Sequence, residues 1–463
     1  MAVKSGNEKN GFTCKKCVVM GIILVIALGV GLFIPMEGLD EASRTSLIIF
    51  IIAAGFWITE VVTPSATAIL VIALHVLILG RVDGPLDLGK TGYKEFLTPV
   101  ASPILLLFFG GFVLAGAAKK HGLDFRMAKT IIRPFGKKPH NVLMGMIITT
   151  AIFSMFMSNT ATTAMMIAIF GPLFHGKGKG AGFRKAMVLA VPFAANIGGM
   201  GTIIGTPPNA IAVSYLFENM DYQISFLQWM ILGVPIVAIM IFVLWGILLL
   251  FFRPETPEIE LSFGKLRPID RDMVIVMVSF LITILLWMTE TIHHINSGVV
   301  ALLPVVIFKL TGVIGRDDLK NIEWDVLFLM AGGLVLGTGM KITGLSDVLV
   351  QQISMISANS LLILGIMIVF SYLLANFMSH TSAANLIVPI VASMSMISPV
   401  MGVVLVALTT SLSQSLPIST PPNAIAYSTR LIETKDMVKY GTLISLIGLG
   451  VMIALFSLLR GFL

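Results

Sequence analysis

The chain has 463 residues, of which 56% are apolar and only 12% charged, with a net charge of +7. Soluble domains carry roughly 25% charged residues. Here apolar stretches of about 15 to 25 residues, long enough to cross a hydrocarbon core, recur from Val18 to Leu459. This excludes a soluble globular enzyme and predicts an all-α polytopic membrane protein with no room for a separate soluble domain. The positive balance does not point to nucleic acid, because Lys and Arg gather in short loops, as cytoplasmic loops require.

Residues 1–45 read as a cytoplasmic N-terminus and a first span over 18–35. Lys4, Lys9, Lys15 and Lys16 precede it, and Pro35-Met36-Glu37 follows where a small-residue cleavage site would stand, so it is an uncleaved span. Cys14 and Cys17 form a C-x-x-C with no His or Cys partner motif, too few ligands for a metal site. The acidic loop of Glu37, Asp40 and Glu41 then lies outside.

Repeat 1 covers 46–252, with spans expected over 46–63, 65–80, about 99–118, 186–217 and 227–252. The linker after the third of these carries Lys119, Lys120, Arg126, Lys129, Arg133, Lys137 and Lys138 against one acid, Asp124, and is cytoplasmic. The next apolar piece, 141–174, is split by Ser158-Asn159-Thr160 and followed by Lys177, Lys179, Arg184 and Lys185. Basic residues on both flanks place both ends on one face, which predicts a re-entrant hairpin with that polar triplet at its tip. Non-helical backbone at that depth is tolerated only inside protein or along a cavity. Gly198-Gly199-Met200-Gly201 and Gly205-Thr206-Pro207-Pro208 break the following span, because a Pro pair stops a helix.

A cytoplasmic linker, 253–272, leads to repeat 2 over 273–463, with a hairpin over 360–398. Trp57-Ile58-Thr59-Glu60 answers to Trp287-Met288-Thr289-Glu290, and Gly110-Gly111 with Gly122 returns 222 residues later as Gly332-Gly333 with Gly344. The first tip, Met157-Ser158-Asn159-Thr160, returns as Met378-Ser379-His380-Thr381. Thr206-Pro207-Pro208-Asn209-Ala210-Ile211-Ala212 returns unchanged from Thr420 to Ala426. The linker matching 119–138 is 341–358, whose only basic residue is Lys341, as expected if the two copies face opposite ways. The expectation is eleven transmembrane helices plus two re-entrant hairpins in two inverted repeats, with the N-terminus cytoplasmic and the C-terminus external. Inverted repeats with broken helices are the signature of a secondary transporter.

Each tip and each Thr-Pro-Pro break ends a helix inside the membrane. Helix N-termini suit an anion, while unwound carbonyls and Ser, Thr or Asn oxygens suit sodium. The span middles hold no Asp or Glu pair, Glu60 and Glu290 lie at span ends, and no Walker A lysine motif appears. Neither a carboxylate proton relay nor ATP-driven transport is indicated.

The paired Ser-Asn-Thr tips, each followed by Thr-Pro-Pro, resemble the divalent anion/sodium symporter family, including INDY-type bacterial dicarboxylate transporters. The resemblance covers 18–463. It implies a homodimer in a bacterial-type plasma membrane, elevator-type alternating access, and substrates such as succinate, malate, fumarate or citrate. By position, Ser158, Asn159, Thr160, Ser379, His380 and Thr381 would meet the substrate, with Thr206, Pro207, Thr420 and Pro421 beside them. The resemblance also implies a sodium ion among Ser154, Ser158, Asn159 and the carbonyl of Gly205. The second half departs from the pattern: the tip Asn is His380, and the hydroxyl expected four residues before Ser379 is Ala375, although Ser419 keeps an oxygen for a second sodium. Imidazole is a poor sodium ligand, so His380 either donates a hydrogen bond to substrate or supplies charge in place of sodium. The remaining histidines (His75, His121, His140, His175, His293 and His294) fall at span ends or in loops. Sodium symport, sodium-independent dicarboxylate exchange and, from a different class, an anion channel are the readings carried forward. An enzyme is not, since no nucleophile–base or metal constellation lies in the spans.

Overall fold

The structure is a computed structural model that describes residues 14–33, 38–174, 180–259, 266–356, 360–394 and 398–459. Lys4, Lys9, Pro35, Met36, Glu37, His175, Lys177 and Lys179 lie outside the described residues. Among those described, all regular structure is helical.

In the first half, α1 (Cys14–Phe33) packs on α2 (Glu41–Thr59), which Asp40 caps through a 2.8 Å bond from Ser43 N. An acid at that position satisfies an orphan N–H and faces the positive end of the helix. α3 (Pro64–Leu74) begins on a proline, where the missing N–H costs nothing, and widens into a π turn over His75–Leu79. Then come α4 (Pro103–Lys120) and the amphipathic α5 (Leu123–Ile132). α6 (Pro139–Ser154) and α7 (Asn159–Phe174) follow, then α8 (Ala181–Gly199), α9 (Pro207–Met220) and α10 (Phe226–Phe251).

The second half runs through α11 (Arg271–Met288), α12 (Leu302–Thr311), α13 (Trp324–Ile342) and α14 (Leu345–Ile356). It ends with α15 (Ser360–Phe377), α16 (His380–Ser393), α17 (Pro399–Leu412), α18 (Pro421–Ser428) and α19 (Thr434–Leu459).

Two details repeat between the halves. The indole of Trp57 donates to the carbonyl of Pro64 at 3.1 Å, and that of Trp287 donates to Ser297 at 3.0 Å. Each pins the end of one helix to the start of the next. The glycine pairs are also used alike. A Cβ at Gly110 on α4 would lie 2.1 Å from the carbonyl oxygen of Ala301, just before α12, and one at Gly332 on α13 would lie 2.4 Å from the Cβ of Ala68 on α3. Each half therefore admits a helix of the other half at its glycine pair.

Among the described residues, seven helices are long and apolar enough to cross a membrane. They present apolar side chains outward, such as Val25 (71% exposed) on α1 and Leu281 (60%) on α11, as lipid contact requires. The other spans anticipated from sequence are shorter or interrupted: residues 64–79 and 297–311 form short apolar helices, and α8–α9 and α17–α18 are each broken in the middle. His75, expected at a span end, instead lies fully buried within the turn of the 64–79 helix. Its Nδ1 sits 2.8 Å from the carbonyl of Val71, and its ring lies against Gly339.

Candidate functional site

The first tip is the break between α6 and α7. Ser158 stops the incoming chain and starts α7, accepting the amide of Ala161 on Oγ at 3.3 Å and that of Thr162 on its carbonyl at 2.9 Å. The first-turn N–H groups of Asn159 and Thr160 have no intrahelical acceptor, so they remain available to a ligand. The second tip is built the same way. Ser379 caps α16 by accepting from Ser382 N at 3.1 Å, ahead of His380 and Thr381.

The two Thr-Pro-Pro breaks also share one construction. Asn209 donates its amide to the carbonyls of Gly199 (3.0 Å) and Thr202 (2.8 Å), while Asn423 donates to Gln414 (3.0 Å) and Leu416 (2.9 Å). The Asn of each identical heptapeptide thus satisfies carbonyls released by the unwound stretch before it. The prolines matter for the opposite reason. Four N–H groups are orphaned at any helix start, and prolines at the first two positions remove two of them, which makes a helix start inside the membrane cheaper.

All four starts meet at one cavity of about 750 Å³. It is lined by Ser158, Asn159 and Thr160 of the first tip, Gly205, Thr206 and Pro207 of the first break, Ser379, His380 and Thr381 of the second tip, and Ser419, Thr420 and Pro421 of the second break. The N-terminal ends of α7, α9, α16 and α18 therefore surround one space, each contributing about half a positive charge. No Lys or Arg lines it among the described residues; three carboxylates, Glu60, Glu323 and Asp325, do.

Beneath the first tip lies a cluster of oxygens. The atom of the Asn159 amide that faces inward is 2.5 Å from Ser154 Oγ and 3.1 Å from each of the carbonyl oxygens of Gly205 and Ala195. With nitrogen in that place the two N–H donors of the amide face three acceptors. With oxygen there, four oxygens converge on one point, which is a donor set for a hard cation. Ser158, assigned to the same seat by resemblance, instead turns its hydroxyl to Glu323 Oε1 at 2.6 Å.

The second tip is organised differently. His380 Nε2 is 2.6 Å from the carbonyl of Ser413, Ala375 is fully buried, and Ser419 Oγ bonds both the carbonyl and the side-chain oxygen of Asn376, each at 3.2 Å. Sequence reasoning missed two residues. Asn196 on α8 reaches across the halves to Gln414 (3.2 Å) and Thr420 (3.4 Å); its only local signal is an amide inside an apolar run. Glu323, in the loop before α13, carries no local signal at all.

Comparison with known proteins finds a family and several relatives. Residues 54–410 match the CitMHS family, described as citrate transporter. A sodium-dependent dicarboxylate transporter of Staphylococcus saprophyticus, SdcS, is 30% identical over 96% of this chain and 92% of its own length. SdcS of Staphylococcus aureus strain USA300 is 30% identical over 85% of this chain and 81% of its own. The solved YdaH transporter of Alcanivorax borkumensis, at 13% identity, has the same fold with a TM-score of 0.57, over 87% of this chain and 99% of that one.

Proposed function

The chain belongs to the divalent anion/sodium symporter family, and from that premise we propose that it carries small dicarboxylates of the succinate, malate and fumarate class, with sodium as the coupling ion. It is a multi-pass membrane transporter, not an enzyme. The observation that carries the reading is the convergence of two hairpin tips and two broken helices on one cavity that, among the described residues, no Lys or Arg lines. A dianion in a low-dielectric site is costly unless its charge is met. Four helix N-termini and a co-bound sodium meet it with no fixed cation, so the empty carrier is not left with an uncompensated positive site. One substrate carboxylate sits on the Ser158-Asn159-Thr160 tip and the other on Ser379 and Thr381, each taking hydroxyl and first-turn N–H donors.

Sodium takes the seat under Asn159, held by Ser154 Oγ, Asn159 Oδ1 and the carbonyls of Ala195 and Gly205. An ion there fixes the Asn159 amide with oxygen inward and so sets the tip for substrate, which is the differential contact that coupling demands. Eleven spans in two inverted repeats, a homodimer and elevator-type movement of the hairpin-bearing helices complete the proposal. The repeated Trp ties, exchanged glycine contacts and duplicated Asn209 and Asn423 bonds support the internal repeat. The basic last turn of α4, with Lys119 and Lys120, faces the cytoplasm in this arrangement.

Uptake of labelled succinate into proteoliposomes, with and without an inward sodium gradient, tests the proposal: sodium should be required. His380, bonded to Ser413 where a second ion would be expected, favours one alternative, sodium-independent exchange. Uptake that ignores sodium yet needs internal dicarboxylate establishes that alternative.

A further inference from the structure

Ser158 donates to Glu323 Oε1 at 2.6 Å, across 165 residues of sequence. Glu323 stands at the N-cap position of α13, but its side chain makes no cap bond there. That acceptor is spent on the hairpin tip instead. The pair also stands between two cavities: Ser158 and Glu323 line both the 750 Å³ site and a neighbouring vestibule of about 560 Å³ lined by Lys119 and Lys120.

We propose that Glu323 is the gate carboxylate of the site: it occupies the seat on Ser158 that a substrate carboxylate needs, and closes the wall toward the Lys119–Lys120 vestibule until substrate displaces it. The proposal rests on the reading of Ser158 as a substrate ligand. A carboxylate is the one side chain that satisfies the tip as the substrate does, with the same acceptor geometry and charge. In the vestibule Lys120 is paired with Asp318, and Lys119 draws the dianion toward the gate. Displacement then moves Glu323 away from the incoming charge, so opening and loading are one event. While the gate is closed only the open fraction binds, and the apparent affinity is lowered by that fraction.

The test is succinate uptake by full-length Glu323→Ala, Glu323→Gln and Asp325→Asn in proteoliposomes, with the succinate concentration giving half-maximal thermal stabilisation as a second readout. Asp325 lines the same cavity but bonds neither tip, so it reports the effect of removing charge alone. Glu323→Ala should lower the KM and the half-stabilising concentration about tenfold, the loss of one charge-assisted hydrogen bond from the competing state. Glu323→Gln, which keeps an acceptor oxygen, should fall between Ala and wild type, and Asp325→Asn, which removes a charge from the cavity without freeing Ser158, should lower the KM by clearly less than Glu323→Ala. An unchanged or raised KM in both Glu323 variants, or an equal drop in Asp325→Asn, overturns the gate. Wild-type protein that takes up no dicarboxylate at all overturns the transport reading, and the gate with it.

Discussion

His380 Nε2 lies 2.6 Å from the carbonyl oxygen of Ser413, and both residues are buried. The corresponding residue of the first half, Asn159, faces the carbonyls of Gly205 and Ala195 instead. Around His380 the other polar atoms are bound to one another. Asn376 Oδ1 accepts from Ser415 N at 2.8 Å and from Ser419 Oγ at 3.2 Å, and Tyr372 and Ser415 share a 2.7 Å hydroxyl contact. A donor satisfying the carbonyl leaves no oxygen cluster for an ion. Wild-type uptake should therefore rise with sodium with a Hill coefficient of about one, and Ala375→Ser combined with His380→Asn should raise it. A wild-type coefficient near two, or an unmoved double variant, places the second ion elsewhere.

At the first tip the chemistry of residue 159 separates two orientations of its amide. Asn159→Ala should abolish uptake while the protein still reaches the membrane, because it removes both the cation oxygen and a tip ligand. Asn159→Asp is the sharper change. If oxygen faces Ser154, Gly205 and Ala195, a carboxylate there keeps the sodium seat, and uptake should persist with half-activation at lower sodium. If nitrogen faces them, a carboxylate meets three oxygens with no donor but the Ser154 hydroxyl, which costs several kcal/mol, and the variant should not accumulate. Sodium activation of uptake alongside membrane abundance distinguishes these outcomes.

The tips and breaks were legible in the sequence because they are written twice. A hydroxyl-amide-hydroxyl triplet and a Pro-Pro pair inside apolar sequence each have a local physical meaning, and repetition removed coincidence. The long spans were legible because hydropathy and length suffice for them. Glu323 was not, because nothing in Asn321-Ile322-Glu323-Trp324 says that this loop meets a tip 165 residues earlier. His75 was misplaced for a related reason. It is accommodated only because Gly339, on a distant helix, leaves room for its ring, and such a pairing is a property of packing rather than of either local sequence.

The vestibule wall carries an ion pair whose value is limited by exposure. Lys120 Nζ lies 2.7 Å from Asp318 Oδ2, with about a third of the Asp318 side chain in solvent. The bond from Lys120 holds the Asp318 carboxyl below its usual range. A depressed carboxyl contributes stability above its unfolded value of about 3.8 and loses it as pH falls through the lower folded value. Asp318→Asn should therefore cost no more than about 1 kcal/mol, and the cost should be constant from pH 5 to pH 8. Thermal unfolding in detergent checks this, and a penalty that grows between those pH values contradicts the assignment.

Gly199 ends α8 directly against the Asn159 amide. A Cβ there would lie 2.6 Å from Asn159 Oδ1 and 3.0 Å from the carbonyl oxygen of Gly205, two atoms of the sodium seat. Neither atom can yield alone: the carbonyl is backbone, and the amide is held by Ser154 and Ala195. Gly199→Ala should therefore push the tip from the break and raise the sodium concentration for half-maximal uptake at least tenfold, about 1.4 kcal/mol. Gly246→Ala, on α10 with nothing within 4 Å of the added carbon, should leave sodium activation unchanged and raise thermal stability by no more than about 1 kcal/mol, the gain in helix propensity. The comparison isolates the seat from helix propensity, since both changes are glycine to alanine in a helix. Equal sodium activation in the two variants would mean that the oxygens beside Gly199 do not hold the coupling ion.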